Sequence, residues 1–314
     1  MYEQIARNKR RAVFYVVFFV VVWVGIGALI GLAFSGATKA PDGTTTTHPG
    51  SIFVGMVIAA LFALGATMFA LTSGARLVLS VSGARRADPE QYRQLHNIVE
   101  GVAIAAGMPK PDVYVIDDPS PNAFATGMSP AHSAVTATTG LLQIMNRQEL
   151  EGVIGHEMSH IKNYDVRLIL IMSTLIGMAG LLASLVWRSM FYMRPRGRDS
   201  GQIVAVVIAA GVLLSIVGFV VGPLIRLALS RRREELADVS GVALTRNPAG
   251  LIGALQKLDQ NDKPFAKFNH ATAAMCIDDP LQHHESWFHR LFDTHPPIAE
   301  RIAVLERIEQ GHSV

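Results

Sequence analysis

His156-Glu157-Met158-Ser159-His160 offers more chemistry than any other stretch of the chain. Two histidines four residues apart on an α-helix are turned by only about 40° from each other, so both imidazoles leave the same face. Such a pair can reach one tetrahedral zinc ion at about 2.0–2.1 Å. Glu157, one position on, then stands close enough to touch a zinc-bound water rather than the metal, the place of a general base. The plain alternative is a helix with two solvated histidines. The helix turns Leu150, Val153, Ile154 and Ile161 inward and so reads as packed, which argues against it.

A zinc hydrolase needs a third protein ligand and an open fourth position. The pattern that takes its third histidine from the same run wants Gly at 163 and His at 166. The chain has Asn163 and Val166, which excludes it. The other common solution is a carboxylate on a later helix, and Glu234-Glu235-Leu236-Ala237-Asp238 supplies one. Glu234 and Asp238 are four apart and share a face, so Glu234 can ligate while Asp238 accepts the second N–H of a ligand histidine. Alone, these residues would read as an ordinary charged helix face; beside the histidine pair, the ligand reading prevails.

The elements that must position these groups are legible in outline. Asn146 with Glu149 three residues later forms a capping-box signature for the histidine helix. Residues 231–244 read as the carboxylate helix, Pro248 opens another, and Pro297 opens the last, with Ile302, Leu305 and Ile308 on one side. Upstream, Asp88-Pro89 predicts a helix start, with Gly107 and Pro109 ending it. Residues 112–116 alternate like a strand, and residues 122–126 and 133–138 read as short extended segments joined around Gly127 and Pro130. Residues 264–294 have no clear period and form a long loop, a kind of segment that is often functional or mobile. Its His283, His284 and His289 lack a clear partner set and read as solvated.

Of the 314 residues, 50% are hydrophobic and only 17% charged, against about 25% charged in a soluble globular chain. Disorder, a coiled coil and a highly charged soluble protein are excluded. Four uncharged apolar runs account for the excess: 12–34, 51–72, 168–187 and 203–225. The first, at 23 residues, extends about 34 Å as a helix, enough for a bilayer core of roughly 30 Å. It exceeds the apolar part of a cleaved signal, so it reads as an anchor. The net charge of +3 is small and fits membrane-flanking Arg and Lys better than a nucleic-acid surface. Cys276 is the single cysteine, which excludes an intramolecular disulfide and a cysteine-based zinc site.

Arg7, Lys9, Arg10 and Arg11 place the N-terminus in the cytoplasm by the positive-inside rule. The expected organisation is an N-terminal membrane hairpin (1–72), the first half of a soluble domain (73–166), a second membrane hairpin (167–226) and the second half of the soluble domain (227–314). Arg188, Arg194, Arg196 and Arg198, between the third and fourth runs, go against an external loop there and leave partial insertion of that hairpin open.

Taken together, the chain resembles the HtpX heat-shock membrane metalloproteases, relatives of the CAAX prenyl endopeptidases. Four stretches in the family's order carry the resemblance: Pro121 to Gly127, the 156–160 motif, Ser230 to Asp238, and Thr294-His295-Pro296-Pro297 with Glu300-Arg301. It implies a mainly α membrane protein with four apolar membrane helices and a zincin-like α+β metalloprotease domain on the cytoplasmic side. It implies one zinc per chain on His156, His160 and Glu234, and Glu157 as base. It further implies an extended segment at Asn122, Ala123 and Phe124 that holds substrate as an added strand. His295 or Arg301 would stabilise the oxyanion. One departure is Glu235, where the family usually has an aromatic.

The expected activity is zinc-dependent hydrolysis of peptide bonds in misfolded or damaged membrane proteins and their cytoplasmic segments, a stress-response task in the cell membrane. Partners would be the lipid bilayer and unfolded polypeptide, with no nucleic acid; a homo-oligomer stays open. No Gly-x-Ser-x-Gly or set cysteine offers a nucleophile. The alternatives are a processing protease for lipidated or C-terminal peptides and a non-catalytic membrane adaptor.

Overall fold

In the computed structural model, residues 2–33, 35, 38–39, 45–46, 49–192, 204, 208–209, 211–215, 231–260 and 297–311 are described. They form helices α1 (Tyr2–Ala33), α2 (Pro49–Val81), α3 (Arg93–Ala106), α4 (Thr139–Ile144), α5 (Arg147–Lys162), α6 (Asp165–Tyr192), α7 (Arg231–Thr245), α8 (Pro248–Asp259) and α9 (Ile298–Glu309). The strands are β1 (Thr38–Lys39), β2 (Thr45–Thr46), β3 (Arg85–Arg86), β4 (Asp112–Ile116), β5 (Ala123–Ser129) and β6 (His132–Thr138). The chain divides into two compact units, one of residues 1–9, 73–170 and 224–314, the other of residues 10–72 and 171–223.

The first unit is built on a four-stranded sheet ordered β3-β4-β6-β5. Only β4 and β6 run parallel; β3 on β4 and β5 on β6 are antiparallel. The β4 residues Val113, Val115 and Ile116 are buried, and Ala123 to Gly127 of β5 are buried without a break. Leu95, Val99 and Val102 of α3, Val153, Ile154 and Met158 of α5, Leu251 and Leu255 of α8 and Leu305 of α9 pack into one core with the sheet. Burying a side chain of this kind contributes about 1.5–3 kcal/mol. The core fixes α5, and so fixes the histidine pair.

Local signals set the ends of α5 and α3. Asn146 Oδ1 accepts from Glu149 N at 2.9 Å while Glu149 Oε2 accepts from Asn146 N at 2.7 Å, the reciprocal pair the sequence predicts. Lys257 of α8 donates to the same Glu149 oxygen at 2.7 Å, tying that cap to the core. Gly107, in the left-handed region with φ 65°, terminates α3. The start of α3 differs from expectation. Asp88 Oδ1 takes the N–H groups of Glu90 and Gln91, which closes a separate turn, so the regular helix begins at Arg93.

In the second unit, Trp23 of α1 packs on Phe62 of α2 with ring centroids 4.7 Å apart. Trp187 Nε1 donates to Ser215 Oγ at 3.1 Å. Phe14, Val21, Phe53, Leu61, Met68 and Leu181 are among many large apolar side chains left exposed, the pattern of helices whose outer face meets lipid rather than water. Among the described residues three helices are long and apolar enough to cross a membrane: Ile5–Leu32, Gly50–Val81 and Asp165–Arg188. Of the fourth expected run only residues 204, 208–209 and 211–215 are described. The 264–294 loop, with Cys276 and its histidines, lies outside the described residues.

Candidate metal centre

Helix α5 brings His156, Glu157 and His160 into the core, where all three are buried. Helix α7 crosses α5 closely enough to add Glu234. The crossing depends on Gly241: a Cβ there would meet the backbone N of His156 at 2.8 Å, a distance real Cβ atoms essentially never show. Ser159 Oγ stands between the two helices, 2.7 Å from His156 O and 3.0 Å from Ala237 O, and its one proton serves both carbonyls. Glu234 is buried at the crossing and its neighbour Glu235 is half-exposed, so α7 turns Glu234 and not Glu235 toward the histidines.

The ligand atoms form a set. His156, His160 and Glu234 each offer one atom, all within 4.8 Å of one another. His156 Nε2 and His160 Nε2 are 3.2 Å apart, and the Glu234 oxygens stand 3.6 and 3.7 Å from them. Three ligands at 2.0–2.1 Å around a tetrahedral ion would be separated by about 3.3–3.4 Å. The spacing therefore fits a zinc-sized cation to within a few tenths of an ångström.

Each histidine is backed by a carboxylate on its other nitrogen. His156 Nδ1 donates to Asp238 Oδ1 at 2.7 Å, and His160 Nδ1 lies 3.3 Å from Asp165 Oδ2. Each carboxylate faces an arginine. Arg301 of α9 grips Asp238 with two nitrogens, Nε at 2.9 Å and Nη2 at 2.7 Å. Arg233 Nη1 is 3.7 Å from Asp165 Oδ1. With both Nδ1 atoms directed at carboxylates, both Nε2 atoms are turned toward each other and Glu234, where a cation can take the place of the proton that His156 carries. The charge count agrees. Glu157, Glu234, Asp238 and Asp165 against Arg233 and Arg301, all buried, leave a charge of −2 when ionised. One divalent cation neutralises it.

Titration of the pair follows from these contacts. Burial pushes the His156 ring down, but the charge and hydrogen bond of Asp238, with a hydrogen bond to Glu234, outweigh it and raise the ring to about 9. Burial pushes Asp238 up; the charge and hydrogen bonds of Arg301, then those of His156, outweigh it and hold the carboxyl at about 2.

The structure thus brings together His156, Glu157, His160, Glu234, Asp238 and Arg301. Arg301 reaches His156 from the Nδ1 side, at 3.4 Å, opposite the nitrogen that faces the other ligands. Asn122 directly precedes β5, and Ala123 and Phe124 begin it; β5 is one of the two edge strands of the sheet among the described residues. His295 is outside the described residues. Asp165 and Arg233 were not singled out from the sequence. Asp165 lies just past the helix, and only its polarity beside an apolar run marks it; Arg233 is one of three consecutive arginines.

Comparison with known proteins agrees with this geometry. The model of peptidase family M48 matches residues 89–309. A Protease HtpX homolog of Levilactobacillus brevis is 42% identical over 315 residues, covering 98% of this chain and 100% of that protein. Another, of Ligilactobacillus salivarius, is 41% identical over 314 residues with the same coverage. A third, of Dictyoglomus turgidum, is 45% identical over 249 residues, 79% of this chain and 80% of its own. The crystal structure of S. mikatae Ste24p shares the fold, with a TM-score of 0.50 at 18% identity over 81% of this chain. The chain spans 58% of that protein's length.

Proposed function

The chain belongs to peptidase family M48 and is a membrane metalloendopeptidase, and from that premise we propose that His156, His160 and Glu234 hold one zinc ion and Glu157 is its general base. The observation that carries the reading is the ligand triangle, with atoms within 4.8 Å of one another beside a buried Glu157. Zinc bound there supplies Lewis-acid polarisation of a carbonyl and acidifies water. Glu157 takes the proton of the attacking water and passes it to the leaving amine, so no acyl-enzyme forms. Asp238 and Asp165 keep the ligand rings in the right tautomer. Arg301, committed to Asp238 behind His156, positions rather than polarises, and the oxyanion role is proposed for His295 on the family resemblance.

The proposed substrates are unfolded or damaged membrane proteins, held as a strand beside β5. Asn122 O accepts from Thr138 N at 2.9 Å, so alternation along the strand turns the Ala123 carbonyl and both backbone groups of Ala125 away from β6. Asn122 Oδ1 already takes the Ala123 N–H at 2.8 Å, which directs added pairing toward Ala125. We place the chain in the cell membrane with four spans and the metal site in the cytoplasm, on the charge pattern of the sequence. The partition into 1–72, 73–166, 167–226 and 227–314 is proposed on the same basis.

The test is proteolysis of casein and of an unfolded membrane protein by the lipid-reconstituted protein, with zinc or chelator. Glu157→Gln should keep one metal per chain and lose about 10²-fold or more in turnover. Undiminished cleavage by that variant would end the mechanism.

A further inference from the structure

Asn8 is out of place for its sequence. It stands among Arg7, Lys9, Arg10 and Arg11, all exposed, yet it is buried to 3%. Its side-chain amide donates to Asn163 O at 3.0 Å and to Asp165 Oδ1 at 2.7 Å, using both hydrogens across more than 150 residues of sequence. Beside it, Lys9 Nζ sits 4.5 Å over the ring of Tyr164. Together these residues clasp the corner 163–165 between α5 and α6.

That corner needs holding. Tyr164 has φ 60°, a left-handed conformation that costs a non-glycine residue about 1–2 kcal/mol. Asp165 is the first residue of α6, on the far side of that corner from α5, so the helix that carries His160 does not itself fix the carboxylate behind it. The contrast with the other ligand is plain. Asp238 sits within α7 and is gripped by two nitrogens of Arg301. Asp165 has Arg233 only at 3.7 Å, and its short contact, at 2.7 Å, is to Asn8.

We propose that Asn8 is a positioning residue of the metal centre: by fixing Asp165 it sets the orientation of the His160 ring, so the first turns of the chain are a working part of the site. The proposal rests on the reading of His160 as a ligand. Removing the partner behind a ligand histidine typically costs 10–100-fold in metal affinity. Asn8→Ala should weaken zinc binding about tenfold, below the loss in Asp165→Asn, because Arg233 still faces the carboxylate. Combining the two should cost no more than Asp165→Asn alone, since Asn8 acts through Asp165.

The experiment is zinc titration of the full-length protein against a chromophoric chelator, with the visible spectrum of the cobalt-substituted protein recorded for each variant. The cobalt bands report ligand geometry and should shift in Asn8→Ala. Arg7→Gln, an exposed neighbour, should leave affinity and spectrum as in the wild type. Asn8→Gln, which keeps both donors on a longer arm, should recover part of the affinity. Asn8→Asp, nearly the same shape but with a carboxylate against Asp165, should lose more than Asn8→Ala; it also decides the question if the alanine variant does not fold. The proposal is overturned by unchanged affinity and spectrum in Asn8→Ala, by full additivity with Asp165→Asn, or by losses that only track a lower metal-free melting temperature. Failure of the underlying metal reading looks different: His160→Ala would then bind zinc like the wild type.

Discussion

Arg301→Met removes the cation from a pair that is buried on both sides, and the cost can be worked from the contacts. Asp238 is 1% exposed and would keep its charge with only His156 beside it. Deleting one partner of a buried ion pair costs about 3–5 kcal/mol. Arg301, together with His156, holds the Asp238 carboxyl well below the usual carboxylate range despite its burial, in the same direction. At about 3 kcal/mol, a unit of this size should lose roughly 6–12 °C in melting temperature. The assay is thermal unfolding of the metal-free protein in detergent, followed by circular dichroism. Asp238→Leu combined with Arg301→Met should recover most of the stability, since no charge is left buried alone. The double variant should still bind zinc 10–100-fold more weakly, because His156 loses its orienting partner. The sign with pH is fixed: a carboxyl depressed in the folded state contributes stability above its unfolded value near 4 and loses it as pH falls toward 2. A single variant melting within 2 °C of the wild type, or a double variant as unstable as the sum of both, would refute the reasoning.

Two further tests address the site directly. Gly241→Ala should force α7 off α5 and displace Glu234, so metal content measured by mass spectrometry should fall well below one per chain, while Gly101→Ala, with open space around its Cβ position, should be neutral. A metal must displace the proton from His156, whose ring is raised to about 9; zinc affinity should therefore climb up to tenfold per pH unit from about 6.5 to 9. Calorimetry in buffers of different ionisation enthalpy should show proton release at pH 7, and a flat affinity over that range would contradict the assigned contacts.

What the sequence reveals is what short-range geometry dictates. The histidine spacing and the shared face of Glu234 and Asp238 follow from helix periodicity, the Asn146–Glu149 box and the stop at Gly107 from local capping chemistry, and each appears in the structure. The same periodicity favours Glu234 over Glu235, because only Glu234 shares a face with Asp238. The groups that escaped notice are those whose partners are remote. Arg233 meets Asp165 across 68 residues of sequence, and Asn8 meets it across 157. Neither lies on a repeating face, and both sit in basic runs that are otherwise explained by a membrane surface. Asp88 misled in the opposite sense: its side chain captures the next two N–H groups so tightly that it closes a turn of its own before the helix.

The arrangement also explains why the site is so heavily braced. Holding four carboxylates together in the core is unfavourable by like-charge repulsion and by desolvation. Two arginines cancel half of that charge, and they do so from behind, so the net −2 remains where a cation can meet it. A metal held there as proposed would offset this repulsion, and its binding should stabilise the whole unit as well as complete the active centre. The braces come from widely separated parts of the chain: Asn8 in α1, Arg233 in α7 and Arg301 in α9. His160 has its carboxylate five residues away, but His156 has none until Asp238, and Asp238 is not neutralised until Arg301. A chain that stops short of α9 would carry the three proposed ligands and still hold His156 against an uncompensated buried anion. Competence for hydrolysis is therefore tied to folding of the unit as a whole, not to the motif on α5.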